Sequence, residues 1–112
     1  MLNKEVLRGQ RDFDRVYRRG KSTGDRYVVV FYKKNNLPYN RTGFLASKKV
    51  GNAVARNRAR RLMKESVRNM KPITAVGYDI IFIARNTINN KKCADVKKSI
   101  EAAIRRTDLN RR

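Results

Sequence analysis

The stretch from Ser47 to Arg68, SKKVGNAVARNRARRLMKESVR, sets the terms on which the rest of this chain can fold. Gly51 interrupts the apolar pattern before it, and Asn52 is a strong N-cap type, so the pattern predicts a helix starting at Ala53. Pro72 bounds that helix at the far end, because proline cannot continue one. Successive residues lie about 100° apart around a helix axis. Ala55, Ala59, Leu62, Met63, Ser66 and Met70 therefore share one side, small and apolar enough to lie close against a sheet. Asn57, Arg60, Arg61, Lys64 and Arg68 share the opposite side, with Arg56 and Arg58 at its margins.

A charge run is often only a solvated helix face. Such a face mixes Glu with Lys at i,i+4, since like charges stacked along a helix repel by roughly 0.2–0.5 kcal/mol per pair. Here Lys48, Lys49, Arg56, Arg58, Arg60, Arg61, Lys64 and Arg68 stand against the single acid Glu65. The face also prefers arginine, whose planar fork matches phosphate oxygens. Over the whole chain the net charge is +20, more than solubility requires, and it implies a phosphate-rich partner, with nucleic acid as the first candidate. No apolar run approaches the roughly 18 residues of a membrane-spanning helix. The N-terminal MLNKEVLRGQ carries no apolar signal-peptide core, so no secretory leader is expected. With one cysteine, Cys93, and no histidine, the chain lacks an intramolecular disulfide, the usual zinc sites and any histidine-based acid–base chemistry. These features point to a reducing cytoplasm.

The 112 residues show no repeat, linker or composition break, which leaves room for one domain over residues 1–112. Phe13, Val16 and Tyr17 recur at i,i+3,i+4 and predict a short helix over Asp12–Arg19, closed by Gly20. Tyr27–Lys33 is β-branched and aromatic, as in a strand. Asn35-Asn36-Leu37-Pro38 reads as a loop, and Arg41–Lys48 as a second, antiparallel strand. Tyr78–Ala84 is almost continuously apolar, the pattern of a strand buried on both faces. Cys93, Val96, Ile100, Ala103 and Ile104 form one stripe of a last helix over Lys92–Arg106, and Leu109–Arg112 reads as a frayed tail. The order of elements predicts an α/β sandwich with helices over a small sheet.

Few residues offer chemistry of their own. Gly20-Lys21-Ser22 resembles the end of a P-loop, but the motif needs glycine where Arg15 stands and a preceding strand instead of a helix. Asp12 and Asp14, two apart on a helix, point to different sides and suit the N-terminal dipole better than a metal. The nine acids are scattered and form no two-metal nuclease pattern. Cys93 lies on an apolar stripe and reads as core. The aromatics Phe13, Tyr17 and Phe31 read individually as core, although rings beside basic residues also make stacking platforms for single-stranded bases.

Arg56-Asn57-Arg58-Ala59-Arg60-Arg61, preceded by Ser47-Lys48-Lys49-Val50-Gly51-Asn52-Ala53-Val54, resembles the signature of the protein subunit of bacterial ribonuclease P. Asp12-Phe13 with Val16-Tyr17 before Gly20, Asp25-Arg26-Tyr27, and Tyr78-Asp79-Ile80-Ile81-Phe82-Ile83-Ala84-Arg85 extend the similarity over nearly the whole chain. Arg60 stands where lysine is common and Tyr17 where phenylalanine is frequent, and the two ends match poorly.

The resemblance implies an α/β (α+β) two-layer sandwich of three helices and a small mixed sheet, with a left-handed βαβ crossover against the usual rule. It implies removal of the 5′ leader from precursor tRNA by a ribonucleoprotein endoribonuclease. In that family the catalyst and its Mg²⁺ belong to a large RNA, and the protein carries no catalytic group. It also implies that Arg56, Asn57, Arg58, Arg60, Arg61, Lys64 and Arg68 contact the catalytic RNA, with Lys48, Lys49 and Asn52 near the same surface. Phe13, Tyr17 and Phe31 match the positions that receive the single-stranded leader. The implied partners are the catalytic RNA and precursor tRNA, with no protein partner.

Two other classes share the charge pattern. A general or ribosomal RNA-binding protein would bind RNA without preferring a 5′ leader. A self-sufficient nuclease would need a carboxylate cluster. An RNP-type recognition sheet is unsupported, because no strand carries its K/R-G-F/Y-G/A-F pattern.

Overall fold

The computed structural model describes residues 6–7 and 9–110. Along the chain it forms α1 (Gln10–Arg19), β1 (Lys21–Gly24), β2 (Val28–Lys34), β3 (Arg41–Ala46), α2 (Ala53–Asn69), β4 (Tyr78–Ala84) and α3 (Cys93–Arg105), with short 3₁₀ turns at Asn86–Ile88 and Asp108–Asn110. The strands make one mixed sheet in the order β1-β2-β4-β3. β4 occupies an interior position between β2, to which it is antiparallel, and β3, to which it is parallel. Its continuous apolar run follows from that place: α2 and α3 cover one face, and on the other α1 and Leu7 cover Ile81 while Ile83 stays half-buried.

Alternation along the strands sorts the core into two clusters. Val28, Val30 and Tyr32 of β2, with Ile80, Phe82 and Ala84 of β4, face α2 and α3 in one large cluster. Ile81 of β4 faces Val16 of α1 and Leu7 in a smaller one. Helices α2 and α3 thus pack on one face of the sheet, while α1 crosses part of the other. α2 begins and ends as its caps dictate: the Asn52 side chain accepts from the Ala55 N–H at 2.9 Å, and Met70 closes the helix before Pro72. Ala59, Met63 and Ser66, from the side assigned to the sheet, are buried.

The structure corrects three expectations. The segment starting at Arg41 runs opposite to β2, but it pairs in parallel with β4; α2 is the crossover that brings β4 between them. Hydropathy alone cannot distinguish a hairpin neighbour from a strand separated by one position. The tail was expected to fray from Leu109, yet Leu109 is fully buried and its carbonyl accepts from the Ala75 N–H at 3.0 Å. One leucine in a polar tail carries no periodic signal. Lys21–Gly24, of which Lys21 and Ser22 are read only as part of a failed P-loop, forms edge strand β1 and pairs antiparallel with β2, Gly24 opposite Val29. The rest of the expected fray, Arg111–Arg112, and most of the N-terminal segment judged free of a signal peptide, residues 1–5 and 8, lie outside the described residues.

Gly20 does close α1, but not through a left-handed turn, since its backbone is extended. A Cβ there would lie 2.5 Å from the Val16 carbonyl oxygen and 2.6 Å from that of Tyr32. The glycine is required for close approach between the helix end and the sheet.

Candidate nucleic-acid interface

Two surfaces emerge, one on α2 and one beneath α1. On α2, residues Val54, Asn57, Arg60, Arg61 and Lys64 line one shallow concavity on the side away from the sheet. Asn57, Arg61 and Lys64 are exposed there, and Arg60 is half-buried with its guanidinium donating to the Asn57 side-chain oxygen. The Lys64 ammonium reaches back over the Phe44 ring, 6.0 Å from its centroid. Lys48 and Lys49 are exposed on the turn that leads from β3 into α2. Asn52 is exposed too, with its oxygen committed to the cap.

The remaining residues of the predicted set are not on the concavity. Arg58 extends along the α3 side and donates to the Lys91 carbonyl at 2.9 Å, bracing the segment before α3. Arg68, at the last turn, pairs with Glu65. Each side chain of that exposed pair shifts the other, the Glu65 carboxyl downward and the Arg68 guanidinium upward, through the hydrogen bond between them. Arg56 is half-buried, and its Nε is enclosed without a hydrogen-bond partner.

The second surface is the face of the sheet that α1 leaves half open. Phe13, Tyr17 and Phe31 do come together there, each half-buried, joined by Leu45 and Ile83. Tyr17 and Phe31 meet edge to face, with centroids 5.1 Å apart and planes at 78°. Phe13 sits over Gly43, where a Cβ would come within 2.8 Å of its ring. Burial, followed by the charge of Asp14, pushes the Tyr17 phenol above its ordinary pKa, so this ring presents a neutral hydroxyl. Leu45, Ile83 and Val29, paired in register with Ile83, were not singled out from sequence. Their signal was strand parity, because odd positions of β2, β3 and β4 all turn toward α1.

An ionic clamp at the edge of this face ties α1 to the sheet. The Arg41 guanidinium donates from Nε and Nη2 to the two Asp79 oxygens, each at 2.8 Å, and Asn35 donates to Asp79 Oδ1 at 2.9 Å. Arg41 Nη1 also lies 3.6 Å from Asp12 of α1. The hydrogen bonds that Arg41 donates to Asp79 hold its pKa above its ordinary value despite partial burial. Asp12, read as a dipole partner, thus also answers a sheet arginine, whereas Asp14 accepts from Gln10 on its own helix.

Among the described residues, no three His, Cys, Asp or Glu side chains gather where they could hold a metal ion. The carboxylates of Asp79 and Asp25, 4% and 16% exposed, are engaged by Arg41 and Arg106. This donor set does not fit a resident Mg²⁺. No described helix is long and apolar enough to cross a membrane.

The chain is similar to known proteins over nearly its whole length. The family model for ribonuclease P matches residues 1–108. The ribonuclease P protein component of Pelotomaculum thermopropionicum is 44% identical over 107 residues, covering 96% of each chain. That of Clostridioides difficile is 44% identical over 105 residues, covering 93% of this chain and 92% of its own. Among solved structures, the ribonuclease P protein of Staphylococcus aureus superposes with a TM-score of 0.83 at 30% identity, covering 96% of this chain and 98% of its own. The Thermotoga maritima protein gives 0.79 at 30% identity, covering 97% and 98%.

Proposed function

The chain belongs to the ribonuclease P protein family, the protein component of the ribonucleoprotein endoribonuclease of tRNA 5′ processing, and on that premise we propose how its two surfaces divide the work. The partners are the ribonuclease P RNA and precursor tRNA. The exposed face of α2, with Lys48, Lys49 and Asn52 before it, docks on the RNA; Asn57, Arg60, Arg61 and Lys64 make its centre, and Arg56, Arg58 and Arg68 flank it. Roughly five to eight phosphate contacts there release condensed counterions and give a log–log salt slope of about −4 to −7. The half-open face under α1 receives the single-stranded 5′ leader on Phe13, Tyr17 and Phe31, at about 1–3 kcal/mol per stacked base. Only precursor has a leader, so this grip favours substrate over product.

The observation that carries this reading is the placement of the aromatic group. Its three rings lie on one partly uncovered sheet face and share no residue with the α2 concavity, which they approach only where Lys64 also lines the hollow beside Phe13, so both RNAs can be held at once. The chain supplies positive charge and grip, and the Mg²⁺ ions of the reaction are held by the RNA. Screening phosphate repulsion lowers the Mg²⁺ concentration that the RNA needs. The place of action is the cytoplasm, where tRNA precursors are made.

The test is cleavage of 5′-labelled precursor tRNA at low Mg²⁺ by protein alone, by ribonuclease P RNA alone, and by both. Cleavage only with both present is expected. Cleavage by the protein alone would overturn the division of labour, and no rescue of the RNA would leave a general RNA-binding protein as the better account.

A further inference from the structure

Val54 differs from everything around it on α2. It is the most exposed large hydrophobic side chain among the described residues, at 74%, and it lines the same concavity as Asn57, Arg60, Arg61 and Lys64. Folding supplies no reason for a valine there. The position touches no core, and a β-branched residue forms helix less readily than alanine. A single exposed apolar side chain is ordinary on a protein surface. One set among three cations is different: phosphates drawn to Arg60, Arg61 and Lys64 bring the sugars and bases of their strand across it. Asn57 adds a directional group. Its side-chain oxygen accepts from Arg60, and its NH₂ has no partner among the described residues, so it is available to donate to a ring nitrogen or carbonyl of a base.

We propose that Val54 and Asn57 form a nucleobase seat on α2, in which an unpaired base of the ribonuclease P RNA lies on the Val54 side chain and accepts a hydrogen bond from Asn57. Arg60, Arg61 and Lys64 hold the flanking phosphates. The proposal rests on α2 being the RNA-docking face, and it turns that face from a charge contact into one that requires an unpaired nucleotide at a fixed place. Apolar contact with a base is a property of single-stranded RNA recognition that phosphate contacts alone do not provide.

Salt dependence separates the two contributions. Affinity for ribonuclease P RNA is measured across a KCl series for the unaltered protein, Val54→Ala and Arg61→Ala. Val54→Ala should weaken binding about five-fold at every salt concentration with an unchanged slope, because lost apolar burial releases no counterions. Arg61→Ala should make the slope shallower by about one. Alanine is the better helix former at position 54, so loss of fold does not confuse the result. Unaltered affinity for Val54→Ala, or a loss that fades as salt rises, would overturn the seat while Arg61→Ala still reports docking through α2. An unchanged slope for Arg61→Ala together with unaltered affinity for Val54→Ala would remove α2 from the RNA interface, and the seat with it.

Discussion

The two faces of the sheet are built from the same strands and serve opposite ends. Toward α2 and α3, Val28, Val30, Ile80 and Phe82 are fully buried, and Phe44 stacks on Phe82 at 5.2 Å. Toward α1, one helix of 10 residues covers what two longer helices cover on the other side, and Phe13, Tyr17, Phe31, Leu45 and Ile83 stay half-exposed. Adjacent residues of one strand therefore have different fates, Val30 sealed in the core and Phe31 half-exposed. An incompletely roofed sheet costs some hydrophobic stabilisation and leaves an apolar surface of the kind that marks binding sites.

Substitutions along β2, β3 and β4 can break that contrast. The largest effect should come from the closed face: Phe82→Ala should cost about 3–5 kcal/mol by chemical denaturation, enough to threaten a domain of this size. Next is the clamp that sets the position of α1. Arg41→Ala strands the buried Asp79 carboxylate and should cost about 3 kcal/mol, with weaker precursor binding because Asp12 also loses its sheet partner. On the open face, Phe31→Ala should weaken precursor binding about ten-fold, leave mature tRNA unaffected and cost little stability. Equal losses for precursor and mature tRNA would dissolve the distinction between the faces.

The smallest effect concerns pH, away from both faces. Burial pushes the Asp25 carboxyl up, but the Arg26 backbone, Ser99 and Arg106 outweigh it and hold the carboxyl below its ordinary value of 3.8. A lowered folded pKa contributes stability above the ordinary value and loses it as pH falls through the folded one. Arg106→Ala should thus reduce stability near neutrality by less than about 1 kcal/mol, since Arg106 is half-exposed, and flatten the acid limb of the stability curve.

Much of this was legible in the residues because the signals were local. Asn52 as cap, the small apolar side of α2, and the largely buried run Tyr78–Ala84 each state their environment in one segment. Strand neighbourhood did not, because pairing β3 with β4 depends on how α2 carries the chain across, and no residue of Arg41–Ala46 encodes it. Within the candidate site, the chain revealed which residues carry charge but not which of them the fold engages elsewhere. Arg58 and Arg60 look alike in sequence; one braces Lys91 and the other lines the concavity with Asn57. Whether a ring is open or sealed depends on how much of the sheet a helix covers, a quantity that periodicity does not contain.

The position of β4 between β2 and β3 also governs when the protein can exist during its own synthesis. Until residues 78–84 leave the ribosome, the inner edges of β2 and β3 have no partner, and the sheet consists of the β1–β2 hairpin alone. The core then waits for Leu109. A nascent chain halted before Tyr78 already bears every lysine and arginine of the stretch Ser47–Arg68, but only the β1–β2 hairpin to support them. For most of its translation the product is a sticky polycation emerging beside ribosomal RNA, and it becomes a selective binder only when the last third of the chain arrives.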